Sequence, residues 1–262
     1  MKNRQMMVMR ELGLTPVYRL RGQDSPVVEE VNASANNTSA LENQRPLAIS
    51  TPQSDIPQTS TGPSRQEVIL RMDWPELKAR VAGCVDCRLH AGRTKTVFGV
   101  GDENASWLFV GEGPGAEEDR QGEPFVGQAG KLLDNMLAAI DLKRGDDVYI
   151  ANVVKCRPPG NRNPQPDEAE TCEPYLMRQV QLIKPTLIVA LGKIAAQNLL
   201  GNDAAVGSLR GGKLHDYKGT PLIVTYHPAY LLRNPADKVR VWEDLCFARL
   251  TMRNLKSAQA TS

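Results

Sequence analysis

The chain has 262 residues, 41% of them hydrophobic and 24% charged, with a formal net charge of +2. That length can bury a sizeable core, and a balance so near neutral leaves any nucleic-acid affinity to local basic groups rather than a global field. No apolar run approaches the ~20 residues that cross a bilayer, and the opening MKNRQMMVMRELGL lacks the apolar core and small-residue cleavage site of a secretory leader; a cytoplasmic chain with no membrane partner is expected.

In chain order, residues 1–21 carry an amphipathic pattern at Met6 to Leu14, read as a short helix or a frayed terminus. Residues 22–64 are rich in Ser, Thr, Asn, Gln and Pro, bury too little apolar area to offset chain entropy, and read as a disordered linker. The ordered domain is expected over 65–257, with a disordered tail at 258–262. Asp73 and Glu76 have capping-box spacing and Pro75 suits a first turn, which predicts a helix carrying Leu77 and Val81 into Cys84.

Four of the five cysteines form an ordered set, Cys84-x2-Cys87 followed by Cys156 and Cys172. Two thiolates from one turn and two distant ones complete a four-sulfur shell, the ligation that zinc and 4Fe-4S clusters share. The fifteen residues between Cys156 and Cys172 are too many for a zinc-ribbon knuckle and favour the cluster; four buried free thiols are the other reading.

Beyond the cysteine turn the pattern alternates. Apolar runs at Trp107 to Val110, Val148 to Val154, Thr186 to Leu191 and Leu222 to Tyr226 predict buried strands. Stripes at Leu132, Leu133, Met136, Leu137 and Ile140, at Ile194 to Leu200, and at Val241, Leu245, Ala248 and Met252 predict helices between and after them. A mainly parallel sheet between helices follows, with its ligand crevice outside the carboxyl ends of the strands.

The segments after those strands are unusual. Gly111-Glu112-Gly113-Pro114-Gly115-Ala116 satisfies a dinucleotide fingerprint, but Pro114 removes a backbone donor and Glu117, Glu118 and Asp119 would repel a pyrophosphate. An acid in such a turn suits holding a water or balancing a developing positive charge. Phe125, in the loop Pro124 to Gly127, is either a cap on the core or a stacking platform for a planar base. Asn152 heads the basic loop Lys155-Cys156-Arg157-Pro158-Pro159-Gly160-Asn161-Arg162; it either ties down that loop or reads the paired carbonyl and N–H of a uracil- or thymine-like edge. His227 precedes Pro228 directly after a strand. In the segment that follows, Leu231 and Leu232 are either core or a wedge entering a base stack, and Arg233 a phosphate ligand.

Together, GEGPGAEED, PFVG, NVVKCRPPGNR, HPAYLLR and the four cysteines resemble the iron-sulfur uracil-DNA glycosylases, family 4 of their superfamily, over roughly Asp73 to Leu250. The resemblance implies a single α/β/α sandwich with a central four-stranded, mainly parallel sheet. It implies a 4Fe-4S cluster on Cys84, Cys87, Cys156 and Cys172, and hydrolytic removal of uracil from DNA. By the same resemblance Glu112 positions water or favours the cationic sugar, Asn152 reads the base, and His227 donates to the uracil O2. Phe125 stacks on the base, the Gly113 backbone approaches a carbonyl oxygen, Glu118 and Asn161 support the site, Leu231 is the wedge, and Arg157 and Arg233 contact DNA. A monomer is expected, with a replication or repair partner for the N-terminal extension, and Cys246 packs in the final helix. The rival readings are a non-catalytic iron-sulfur DNA-binding module and a dinucleotide-dependent oxidoreductase.

Overall fold

The structure, a computed structural model, describes residues 62–260, so the readings of the N-terminal helix and of nearly all the linker lie outside the described residues. The described chain opens with α1 (Arg65–Ile69), capped by Ser64 in a reciprocal box with Glu67, and α2 (Trp74–Ala82), capped in the same way by Asp73 and Glu76 with Pro75 in its first turn. Two backbone donors at each start are thereby satisfied, and Leu77 and Val81 of α2 are buried.

The sheet follows from four runs of continuous burial, β2 (Trp107–Gly111), β3 (Val148–Asn152), β4 (Leu187–Leu191) and β6 (Thr220–Thr225), paired in parallel as β3-β2-β4-β6. It is six-stranded, not four-stranded: β1 (Val100–Gly101) pairs antiparallel outside β3, and β5 (His215–Tyr217) outside β6. These edges are two and three residues long and only partly buried, so they carry no apolar run for a sequence reading to find.

Residues alternate between two cores. Leu108, Val110, Ile188, Ala190 and Val224 pack with Leu77, with Leu176 and Val180 of α5 (Pro166–Ile183), and with Ala195 and Leu199 of α6 (Lys193–Leu200). Trp107, Phe109, Ile150, Val189 and Ile223 pack on the other face with Leu133, Met136 and Leu137 of α4 (Gln128–Ala139) and Val241, Leu245 and Ala248 of α9 (Lys238–Ala260). Period-two strands between two helical layers give the expected α/β/α sandwich. The short helices α3 (Ala116–Gln121), α7 (Val206–Leu209) and α8 (Pro228–Arg233) follow β2, α6 and β6.

Two features of the last helix differ from expectation. The helix α9 runs to Ala260, past the expected end at 257, because Lys256 and Ser257 remain tied to Asp147 and to the Arg253 carbonyl. Cys246 lies on α9 with its side chain exposed rather than packed. Among the described residues no helix is long and apolar enough to cross a membrane.

Candidate active site

The chain passes from β2 to β3 on one side and then to β4 on the other, so β2 sits at the switch of strand order, where open α/β sheets form their ligand crevice. A cleft of about 650 Å3 lies there. Glu112 and Gly113 reach it from the end of β2, Asn152 from β3, Gly192 and Lys193 from β4, and Tyr226 and His227 from β6; Glu118, Phe125, Asn161 and Arg233 complete the wall.

Asn152 is 2% exposed and its Oδ1 has no hydrogen-bond partner. An acceptor left so costs about 1–3 kcal/mol unless a ligand supplies a donor. The place is kept open by Gly111, where a methyl group would stand 2.5 Å from Asn152 Oδ1 and 2.6 Å from Phe125 Cζ.

Phe125 has φ 55, a left-handed conformation that costs a bulky residue about 1–3 kcal/mol. Three groups hold it. Arg144 donates to the Pro124 and Phe125 carbonyls at 2.8 Å each. Glu118 accepts from the Val126 and Gly127 amides at 3.0 and 3.1 Å and from the Gly115 amide at 3.1 Å. Gly130 leaves room, since a methyl there would lie 1.7 Å from the Phe125 oxygen. The ring is buried in the α4–α9 core and also faces the cleft, 5.5 Å from the His227 ring at 31°, so core cap and cleft floor are one residue.

His227 caps α8, its Nδ1 accepting from the Ala229 amide at 3.1 Å. That bond fixes the neutral tautomer with hydrogen on Nε2. Burial, helped by the charge of Arg233, pushes its pKa down to about 4, so the imidazole is an uncharged donor at neutral pH. Glu112 is lifted above the usual glutamate range by burial alone.

The remaining expected site residues divide. Arg157 donates to Asn161 Oδ1 at 2.7 Å, which makes Asn161 a brace for that arginine on the rim. Arg233 is exposed beside the cleft. Leu231 does not fit the wedge: it is 1% exposed and packed in the α4–α9 core, because i and i+4 from His227 put it on the inner face of α8, while its neighbour Leu232 is 47% exposed. The sequence reading does not reach Lys193, whose signal is its place directly after the β4 run, or Arg144, which arrives from a distant loop and has no local signal.

The dinucleotide reading fails on geometry. The first turn of α3 already holds Glu117, Glu118 and Asp119, and Glu118 takes the Gly115 amide that a phosphate would need.

All four motif cysteines line a second, small cavity beneath the β3 loop, together with Asp86, His90, Arg93, Lys155 and Tyr175. None is in a disulfide; Cys156 and Cys172 are buried, Cys84 and Cys87 half-buried. Burial pushes the Cys172 thiol up to about 12 and also raises Cys87 and Cys156. Among the described residues no group of three or more His, Cys, Asp or Glu is placed to hold a metal ion, and the four sulfurs line one cavity. Four thiolate donors on one cavity are a ligand set that a 4Fe-4S cluster or a zinc ion accepts.

A sheet whose four parallel strands end on one cleft, with an unpaired amide oxygen, a neutral imidazole N–H, a desolvated carboxylate and an aromatic face, defines an α/β protein with a candidate active site at its switch point. The family model of the Uracil DNA glycosylase superfamily matches residues 98–246. The chain is 48% identical over 167 residues to the type-4 uracil-DNA glycosylase of Archaeoglobus fulgidus, covering 61% of this chain and 83% of that one. It is 46% identical over 169 residues to the type-4 enzyme of Thermotoga maritima (63% and 88% covered) and 43% over 185 residues to that of Pyrobaculum aerophilum (66% and 92%). The chain belongs to the uracil-DNA glycosylase superfamily, in its type-4 family.

Proposed function

We propose that the chain excises uracil from DNA in base-excision repair: it takes an extrahelical deoxyuridine into the cleft and hydrolyses the C1′–N1 bond, leaving an abasic site. The observation that carries this reading is the buried, unpaired Oδ1 of Asn152 on the cleft wall. Uracil N3–H is a donor and O4 an acceptor, so one amide matches both; cytosine N3 has no hydrogen and would leave Oδ1 facing a lone pair.

The uracil stacks on Phe125, and His227 Nε2–H faces O2. As C1′–N1 breaks, the bonding pair moves to N1 and spreads to O2, where the neutral imidazole donates to the developing anion. The sugar becomes cationic, and the Glu112 carboxylate orients the water that attacks C1′ and takes its proton, while the departing uracil anion is protonated from solvent. Arg157 and Arg233 engage phosphates, and Leu232 in place of Leu231 fills the gap left in the stack. A DNA-binding module without catalysis would not need Glu112, Asn152 and His227 on one wall.

Cys84, Cys87, Cys156 and Cys172 would hold a 4Fe-4S cluster, which would supply a cross-link between segments; no step of the hydrolysis calls on electron transfer. Incubation with a uracil-containing oligonucleotide followed by alkali should cleave the strand at uracil. An intact strand after treatment with iron-loaded protein would overturn the reading.

A further inference from the structure

Lys155 is a rarity, a lysine 1% exposed with its whole side chain inside the fold. Its Nζ donates to the Asn152 carbonyl at 2.8 Å and to Gln179 Oε1 at 2.6 Å, both neutral, and no carboxylate is among its partners. Gln179 is fully buried too, and its amide nitrogen is spent on the Phe98 carbonyl at 2.9 Å. A buried ammonium with only neutral acceptors costs several kcal/mol unless an opposite charge lies close by.

The cavity that Lys155 lines also holds the four cysteine sulfurs, groups able to supply that charge. Lys155 lines the cysteine cavity, and its own backbone N–H points at Cys172 Sγ at 3.3 Å. Arg93 stands across the same cavity, donating to Cys156 Sγ at 3.1 Å and to the Cys84 carbonyl at 2.7 Å. Four thiolates on a 4Fe-4S core carry net negative charge, which two facing cations would offset. Only one of these cations also reaches the catalytic cleft, because the oxygen that Lys155 grips belongs to Asn152.

We infer that Lys155 is a positioning residue that joins the cysteine-held cluster to the uracil-reading strand end, its ammonium balanced by the cluster and its Nζ hydrogen bond fixing the main chain of Asn152. This rests on the cluster reading above. Through its Nζ hydrogen bond the lysine ties the end of β3 to the cysteine-lined cavity.

The test uses the iron-loaded protein and three variants, reading iron and sulfide per chain, the cluster midpoint potential, and inhibition by free uracil. Lys155→Met removes a positive charge beside the cluster, so the potential becomes more negative, and inhibition by uracil weakens by about tenfold, the equivalent of ~1.4 kcal/mol. Arg93→Gln moves the potential in the same direction and leaves uracil inhibition unchanged, since Arg93 does not touch Asn152. Gln179→Glu gives Lys155 a carboxylate and keeps its bond to Asn152; the potential falls and uracil inhibition holds, which keeps the test decisive if Lys155→Met does not fold. A potential in Gln179→Glu equal to wild type, or uracil inhibition unchanged in a folded Lys155→Met, overturns the proposal. Wild-type protein without iron and sulfide overturns the cluster reading instead.

Discussion

Asn152 and His227 show how much of the site rests on polar atoms that the fold itself leaves underused. Asn152 Oδ1 is buried without a donor, so replacing the residue by an apolar one of similar size should relieve a penalty of about 1–3 kcal/mol while removing the uracil contact. Asn152→Leu should therefore raise the melting temperature and abolish excision; a fall in both would mean that Asn152 is a structural tie. His227→Ala removes a preorganised donor and should lower kcat by about 10²–10³-fold, measured in single turnovers, with the loss of the α8 cap costing about 0.5–2 kcal/mol of stability. The acid limb of kcat/KM belongs to Glu112: the ionised form is the active one, burial raises its pKa, and the rate falls as pH drops through that raised value. The limb should vanish in Glu112→Gln. His227 acts on stability in the same direction. The unfolded chain protonates this residue near its ordinary 6.5 and the folded one only at about 4, so unfolding takes up a proton between those values and stability declines as pH falls through that window.

At the scale of elements, the strand ends were legible and the supports behind them were not. Runs such as Trp107 to Val110 announce buried strands because parallel strands are covered on both faces, and Gly111, Asn152 and His227 stand just past or at the last residue of theirs. The edges β1 and β5 are too short and too mixed to register. The helix α5 spans 18 residues and carries Cys172 with Pro174 in its interior, a residue that in sequence reads as a helix breaker. The Phe125 loop is the sharpest case: its left-handed residue depends on Arg144, Glu118 and Gly130, which adjoin it only in three dimensions. Gly130→Ala forces a methyl into the Phe125 carbonyl, so excision should drop at least tenfold while the far-ultraviolet dichroism stays that of the folded enzyme. Unchanged kinetics would show that the loop geometry is incidental. On α8, Leu231 misled for the complementary reason, as a pair of adjacent leucines does not say which one the helix turns inward.

For the whole molecule, the four cysteines were visible as a set before any fold was known, yet their consequence depends on what they connect. Cys84 and Cys87 follow α2, Cys156 lies in the loop after Asn152, and Cys172 lies on α5, so a cluster would close a loop of the chain from 84 to 172 on one side of the sheet. The opposite core, built on α4 and α9, contains none of these ligands. Removing iron should therefore act unevenly: the sheet and the α4–α9 layer persist, while the α2–β1 segment and the loop at 153–163 open. Hydrogen exchange on chelator-treated protein should show faster exchange in those two segments and little change at Leu133 to Leu137 or Val241 to Ala248, with a lower melting temperature and weaker binding of uracil-containing DNA. Uniform loss of protection across both layers would mean that the cluster holds up the entire fold, and no change in either would mean that the thiols are ordinary members of the core.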